Sequence, residues 1–135
     1  MNGVRPRRSV LYMPASNERA LEKAKSLPAD ALIFDLEDAV SPDAKDAARA
    51  RAVDAVQSRA YGRREVVIRI NGLSGPWGHE DLAAVARSGA DGICIPKVQS
   101  ADELTEIRRQ LSDAGAPGEL AIWAMMETPE AMLNA

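Results

Sequence analysis

The sequence predicts a parallel α/β fold. Three observations carry that prediction: five short apolar runs, helical patterns between them, and an Ala-Asp pair that leads into two of the runs 61 residues apart (Ala29-Asp30 and Ala90-Asp91). The runs are continuous rather than alternating, as strands are when both faces of a sheet are covered. The echo fits two strand–helix units of about 30 residues each, and that alternation means βαβ units with right-handed crossovers. Periodicity by itself leaves a closed barrel and a doubly wound sheet both open.

Taken in order, the first run is Ser9-Val-Leu-Tyr-Met13, closed by Pro14, with Ser16 or Asn17 in place to cap a helix. The second is Ala31-Leu-Ile-Phe-Asp35. Ser41-Pro42-Asp43 then reads as an N-cap with proline at the first helical position, opening an alanine-rich helix that ends before Gly62. Val66-Val-Ile-Arg-Ile70 is the third strand, and the helix after it runs over 80–88 and stops at Gly89. Gly92-Ile-Cys-Ile95 is the fourth. Ser100-Ala-Asp-Glu103 forms a capping box, Leu104, Ile107 and Leu111 share one helix face, and Gly115 is the stop. The fifth strand is Leu120-Ala-Ile-Trp-Ala-Met-Met126, after which Thr128 caps a helix begun by Pro129 and Glu130.

Composition narrows the function classes. With 135 residues, 46% hydrophobic and 27% charged, the chain is expected to form one globular domain over 1–135. A net charge of −3 gives no electrostatic case for nucleic acid. Arg5, Arg7 and Arg8 form a small basic cluster, read as a solvated N-terminus, with a phosphate-contacting tail as the sharper alternative. The single cysteine, Cys94, excludes an internal disulfide and a multi-cysteine zinc site, and its apolar surroundings predict a buried, inert thiol. No apolar stretch is long enough to span a membrane, and Pro14 interrupts the first apolar run, so a cytoplasmic enzyme is the default expectation.

Parallel α/β folds bind ligands at the carboxyl ends of their strands. There the second strand gives Asp35-Leu-Glu-Asp38, three carboxylates in four residues, and the third gives Arg69-Ile-Asn71-Gly72. The fourth ends in Pro96-Lys97 and the fifth in Met126-Glu127-Thr128. A hard cation such as Mg²⁺ takes one or two protein carboxylates and keeps several waters, so Glu127 is the candidate metal ligand, with Glu37 and Asp38 placed to orient bound water. Arg69 offers a fork for a substrate carboxylate. Lys97 as a Schiff-base lysine is the weaker alternative, since the carboxylates leave no need for one. His79 reads as a solvated loop residue and Trp77 as a turn packed over the rim.

The runs Arg8-Ser-Val-Leu-Tyr-Met-Pro14, Phe34-Asp-Leu-Glu-Asp-Ala-Val40, Ile68-Arg-Ile-Asn71, Pro76-Trp-Gly78, Pro96-Lys-Val98 and Met126-Glu-Thr128 resemble, in order, the motifs of the citrate lyase beta subunit / malyl-CoA lyase family of the HpcH/HpaI aldolase superfamily. That resemblance implies a (β/α) TIM-type barrel of which this chain supplies the first five or so units. It implies a Mg²⁺-dependent carbon–carbon lyase that cleaves or forms a 3-hydroxyacyl-CoA such as citryl-CoA, malyl-CoA or citramalyl-CoA through a metal-stabilised enolate. By it, Arg69, Glu37 and Asp38 are the catalytic group, Arg69 binds the carboxylate of the 2-oxo acid, and Glu127 ligates Mg²⁺ directly. Arg8, Tyr12, Asn17, Arg19 and Lys23 lie where such enzymes approach CoA, and a homo-oligomer or a place in a lyase complex is expected.

Two departures qualify the resemblance. No glycine follows Pro14, where the chain has Ala15-Ser16. The family's second metal carboxylate, after a sixth strand, and its acid/base carboxylate, often from a neighbouring subunit, have no counterpart up to Ala135. Two alternatives therefore stand beside the lyase: a pyruvate-type class II aldolase without CoA, and a catalytically incomplete half-barrel fragment truncated at its C-terminus.

Overall fold

The computed structural model describes residues 4–135. Five parallel strands follow one another in chain order: β1 (Val10–Pro14), β2 (Ala31–Asp35), β3 (Glu65–Arg69), β4 (Gly92–Ile95) and β5 (Ala121–Ala124). Helices α1 (Glu18–Ala24), α2 (Lys45–Gln57), α3 (Gly78–Ala86) and α4 (Ala101–Asp113) link successive strands, and α5 (Pro129–Leu133) follows β5. A doubly wound sheet reverses its strand order part-way, whereas unbroken sequential order is the arrangement of a barrel wall. No helix among the described residues is long and apolar enough to cross a membrane.

Alternation along the strands sorts the side chains into two sets. Leu32, Phe34, Ile68, Ile93 and Ile95 pack under the helices with Leu21, Leu82, Val85, Ile107 and Leu111. Each fully buried side chain of this size contributes about 1.5–3 kcal/mol. The opposite face is the inner wall, where Ile33, Val67 and Cys94 meet Trp123 and Met125. Cys94 is 1% exposed and burial pushes its thiol up to about 11, so it is inert as expected.

The paired Ala-Asp dipeptides acquire a physical meaning at the amino ends of the strands. Asp30 accepts the backbone N–H groups of Arg8 and Ser9 beside β1, and Asp91 accepts that of Val66 in β3. Each aspartate thereby satisfies donors that the parallel ladder leaves open at a strand start. The N-terminal arginines bind the same edge: Arg8 pairs with Asp30, Arg7 with Glu65, and Arg5 with Asp91. Arg7 also lies over the Trp123 ring, 5.2 Å from its centroid. These arginines are thus neither a free solvated cluster nor a phosphate-contacting tail, because acids at the starts of three strands hold them.

Helix boundaries follow the sequence reading with two corrections. Ser41 makes no capping bond, because its hydroxyl donates to Asp43 two residues on at 2.7 Å, and residues Pro42–Ala44 form one 3₁₀ turn before α2. The same helix stops at Gln57, ahead of Gly62 as read, with Arg59 in a left-handed backbone at φ 53°, and α3 spans Gly78–Ala86 rather than 80–88. Elsewhere the caps are as read. Asn17, not Ser16, caps α1 through Ala20 N–H, and Ser100 caps α4 through Glu103 N–H. Glu103 reaches back to Gln99 N–H, one residue beyond the usual partner in a capping box.

One close approach shapes the rim. A Cβ on Gly78, the first residue of α3, would lie 2.3 Å from the Gly72 carbonyl oxygen and 2.8 Å from Leu73 Cα. Backbone on both sides cannot yield as a side chain would, so Gly78→Ala is expected to lower stability by about 1–3 kcal/mol. Urea unfolding of the two chains measures this, with Gly72→Ala, where space is open, as the neutral comparison.

Candidate active site

Two clefts differ in what lines them. One of about 550 Å³ lies at the amino ends of the strands among Arg5, Arg7, Glu65 and Asp91, whose charges are already paired with one another. The other, about 300 Å³, lies at the carboxyl ends of β1 to β3 and is lined by Tyr12, Met13, Pro14, Asp35, Ala39 and Arg69. Barrel chemistry occupies the carboxyl face, so the smaller cleft is the candidate site.

Asp35 and Arg69 face each other in register across β2 and β3. Arg69 donates Nε to Asp35 Oδ1 at 2.7 Å and Nη2 to Oδ2 at 2.8 Å. The same two oxygens accept the backbone N–H groups of Glu37 and Ala39, each at 2.9 Å. Burial pushes Asp35 up, but these four bonds outweigh it and hold the carboxyl below its ordinary range, while Asp35 raises Arg69. Asp35 is thus saturated: it fixes Arg69 and folds the turn that follows. The Tyr12 ring stacks on the guanidinium at 5.1 Å, and its hydroxyl meets Met125 Sδ at 3.2 Å.

Glu37 differs from its neighbour. It is 8% exposed, and its Oε1 has no hydrogen-bond partner among the described residues. Arg69 Nη1 stands 3.9 Å away, within reach of charge attraction but beyond a hydrogen bond. Burial, then the adjacent Asp38 carboxyl, raises Glu37 to about 7, while the neighbouring Glu37 carboxyl, which keeps its proton longer, leaves Asp38 below its ordinary range. Asp38 itself is exposed.

A second buried network holds this turn from behind. Lys45, only 7% exposed, donates to the carbonyls of Leu36 and Glu37 and to Asn71 Oδ1, at 3.1, 2.9 and 2.7 Å. Asn71 passes the link to Asp81, which is fully buried and also bound by Arg49. The Trp77 ring covers the ammonium, 5.0 Å from its centroid. The acidic turn and the β3–α3 loop are thereby tied into one body.

Glu127 lies on the exposed rim after β5, and its Oε1 accepts the Lys97 backbone N–H at 2.9 Å. No three histidine, cysteine or acidic side chains converge among the described residues to cage a metal alone. Mg²⁺ does not require that, since it keeps several waters and uses one or two carboxylates. An all-oxygen set with one orphaned buried oxygen, Glu37 Oε1, fits such a cation. The structure brings Arg69 and Glu37 together and leaves Asp38 and Glu127 exposed on the rim. His79 is exposed on the first turn of α3.

Residues 8–135 match the model of the HpcH/HpaI aldolase/citrate lyase family. The chain belongs to that family. The (3S)-malyl-CoA thioesterase of Cereibacter sphaeroides strain ATCC 17025 is 50% identical over 130 residues, covering 96% of this chain and 44% of that protein. Citrate lyase subunit beta of Escherichia coli K12 is 36% identical, with 93% and 43% covered. A solved member, CitE from Mycobacterium tuberculosis in complex with magnesium, acetoacetate and coenzyme A, matches at 27% identity and a TM-score of 0.71, covering 96% of this chain and 44% of that one. The chain thus spans less than half the length of the curated relatives it matches, and the family's structures confirm the TIM-barrel type.

Sequence reading missed the supporting residues. Asp35 stood in the acidic run as one carboxylate among three, although its two- and four-residue offset to N–H groups is the signal of a side chain folding its own turn. Lys45 and Asp81 gave no signal, because a lysine or aspartate in a first helical turn ordinarily faces water.

Two outcomes follow from these contacts. Asp35→Ala strands the Arg69 charge and is expected to cost about 3–5 kcal/mol in chemical unfolding. Glu37 carries a raised folded-state value of about 7, so its penalty is absent at pH below its unfolded value and grows as pH rises toward 7. With chelator present, Glu37→Gln is therefore expected to gain thermal stability over the wild type between pH 5 and 8, the gap vanishing at lower pH.

Proposed function

We propose that the rim serves a Mg²⁺-dependent carbon–carbon lyase acting on a 3-hydroxyacyl-CoA of the citryl-, malyl- or citramalyl-CoA kind. The observation that carries this reading is the fixed Arg69 guanidinium beside an unpartnered, buried Glu37 oxygen. That is a site for an anion next to a site for a cation. Family membership supports it, as does the acyl-CoA chemistry named for the Cereibacter relative and the magnesium and coenzyme A bound to the Mycobacterium protein.

In this reading Glu127 and Glu37 hold Mg²⁺, with Asp38 receiving hydrogen bonds from its water shell. When bound, the ion acts as a Lewis acid on the carbonyl of the acid fragment. Arg69 aligns that fragment's carboxylate, and the Asp35 clamp means it does so without reorganising. Tyr12, stacked on Arg69, walls the cleft and excludes water from one side. A homo-oligomer, or a place in a lyase complex, goes with this reading.

Thioester hydrolysis is the second reading, favoured by the 50% identity to a malyl-CoA thioesterase. Products separate the two. The full chain is incubated with malyl-CoA or citryl-CoA, with Mg²⁺ or with chelator. Acetyl-CoA with an oxo acid marks the lyase, and free CoA with the hydroxy acid marks the thioesterase. Glu127→Ala is expected to abolish metal-dependent turnover, and Arg69→Ala to raise KM for the acid about tenfold or more, the worth of one charge-assisted hydrogen bond. Full activity after Glu127→Ala removes the metal assignment.

A further inference from the structure

We propose that Lys45 is a positioning residue for the metal site, holding the Glu37 carboxylate where a cation meets it. The inference rests on the Mg²⁺ reading above. Leu36 O and Glu37 O are the carbonyls on either side of the Glu37 Cα, and both accept from Lys45 Nζ, at 3.1 and 2.9 Å. In an extended chain successive carbonyls point to opposite sides. Their convergence on one nitrogen therefore fixes φ and ψ of Glu37, and with them the direction of its Cα–Cβ bond. Asn71 Oδ1 accepts the third N–H at 2.7 Å, which ties that point to the loop after β3. The Glu37 backbone is thus held on both sides, by Asp35 at its N–H and by Lys45 at its carbonyl, while its Oε1 has no partner among the described residues.

Stability alone gives little reason for a lysine here. Lys45 is the first residue of α2, where the helix dipole is positive and acidic side chains are the favoured kind. It is buried, and none of its three acceptors is a carboxylate. Neutral acceptors return only part of the hydration that a buried ammonium loses. Nor do the carbonyls need it to be satisfied. Leu36 O also accepts from Asn71 Nδ2 at 2.9 Å, and Glu37 O from the Val40 N–H at 3.2 Å.

What the ammonium adds is a charge at the point where two carbonyl dipoles meet. Brought together, those dipoles repel, and a cation between them offsets the repulsion through charge-assisted hydrogen bonds that an apolar side chain cannot make. The sign of its effect on a metal is also distinctive. A positive charge behind Glu37 opposes a second cation in front of it, so removing that charge favours Mg²⁺ on electrostatics alone. Loss of Mg²⁺ affinity on its removal therefore reports position.

The test is calorimetric titration of Mg²⁺ alone into the full chain and into Glu37→Gln, Lys45→Met, the double variant and Leu111→Ala, whose buried side chain lies near the end of α4. Glu37→Gln and Lys45→Met are each expected to weaken Mg²⁺ about 10–100-fold, the usual effect of losing a ligand or its support. The double variant is expected to bind no more weakly than Glu37→Gln, since a residue acting only through Glu37 then has nothing left to position. Leu111→Ala loses stability but keeps wild-type affinity, which separates position from general loosening. Lys45→Gln carries the same expectation where circular dichroism shows that Lys45→Met does not fold. Wild-type or tighter Mg²⁺ binding in the Lys45 variant, a loss that multiplies with that of Glu37→Gln, or an equal loss in Leu111→Ala overturns the assignment and leaves the metal reading standing. If Glu37→Gln binds as the wild type does, or the wild type binds none, the metal reading falls and the role of Lys45 with it.

Discussion

The Asp35 carboxylate receives four hydrogen bonds, two from Arg69 and two from the backbone of the turn it begins, and the geometry of the carboxyl rim depends on them. Taking two charges out of water costs several kcal/mol per ion, and a buried pair returns that only when geometry is good and the remaining lone pairs are satisfied. Here both conditions hold. Such a pair is weak evidence for stability against a well-packed apolar alternative. Its effect is on position: it fixes the direction of Arg69 and turns the chain so that Glu37 points inward with an oxygen unbonded.

The Lys45 network extends the same logic behind the rim. A buried ammonium with three acceptors and an aromatic cover joins the turn after β2 to the loop after β3. Asp81, paired with Arg49, accepts from Asn71 and so ties α3 to the network, and Gly78 lets that helix begin in contact with the loop. Two loops that a parallel sheet would leave independent are therefore one body, which keeps Glu37 and Arg69 in fixed relation. At the amino ends, acids likewise meet arginines, but those pairs are mostly half-exposed, tie strand starts together, and leave no oxygen free.

Much of this was legible in the sequence. Continuous apolar runs gave five strands within a few residues of their observed limits, and Asn17, Ser100 and Thr128 cap helices because their side chains do so locally. The shifted start of α2 was not legible, because Ser41 had a competing acceptor in Asp43 and a cap residue forms whichever bond is nearer. The arginines of the N-terminus read as free charges because their partners lie 22 to 86 residues away in the chain.

The sequence by itself determined the strand–helix alternation, the order of the strands' chemistry and the family, since apolar period, capping and motif are local properties of the chain. Tertiary structure alone decided which of the three carboxylates at the end of β2 is spent and which is free. That choice depends on Arg69, 34 residues on, arriving in register beside Asp35 rather than Glu37. A one-residue change of register would reverse the faces, and no local signal specifies it. The burial of Lys45 and the left-handed turn at Lys97 are of the same kind, set by what surrounds each residue and not by its neighbours in sequence.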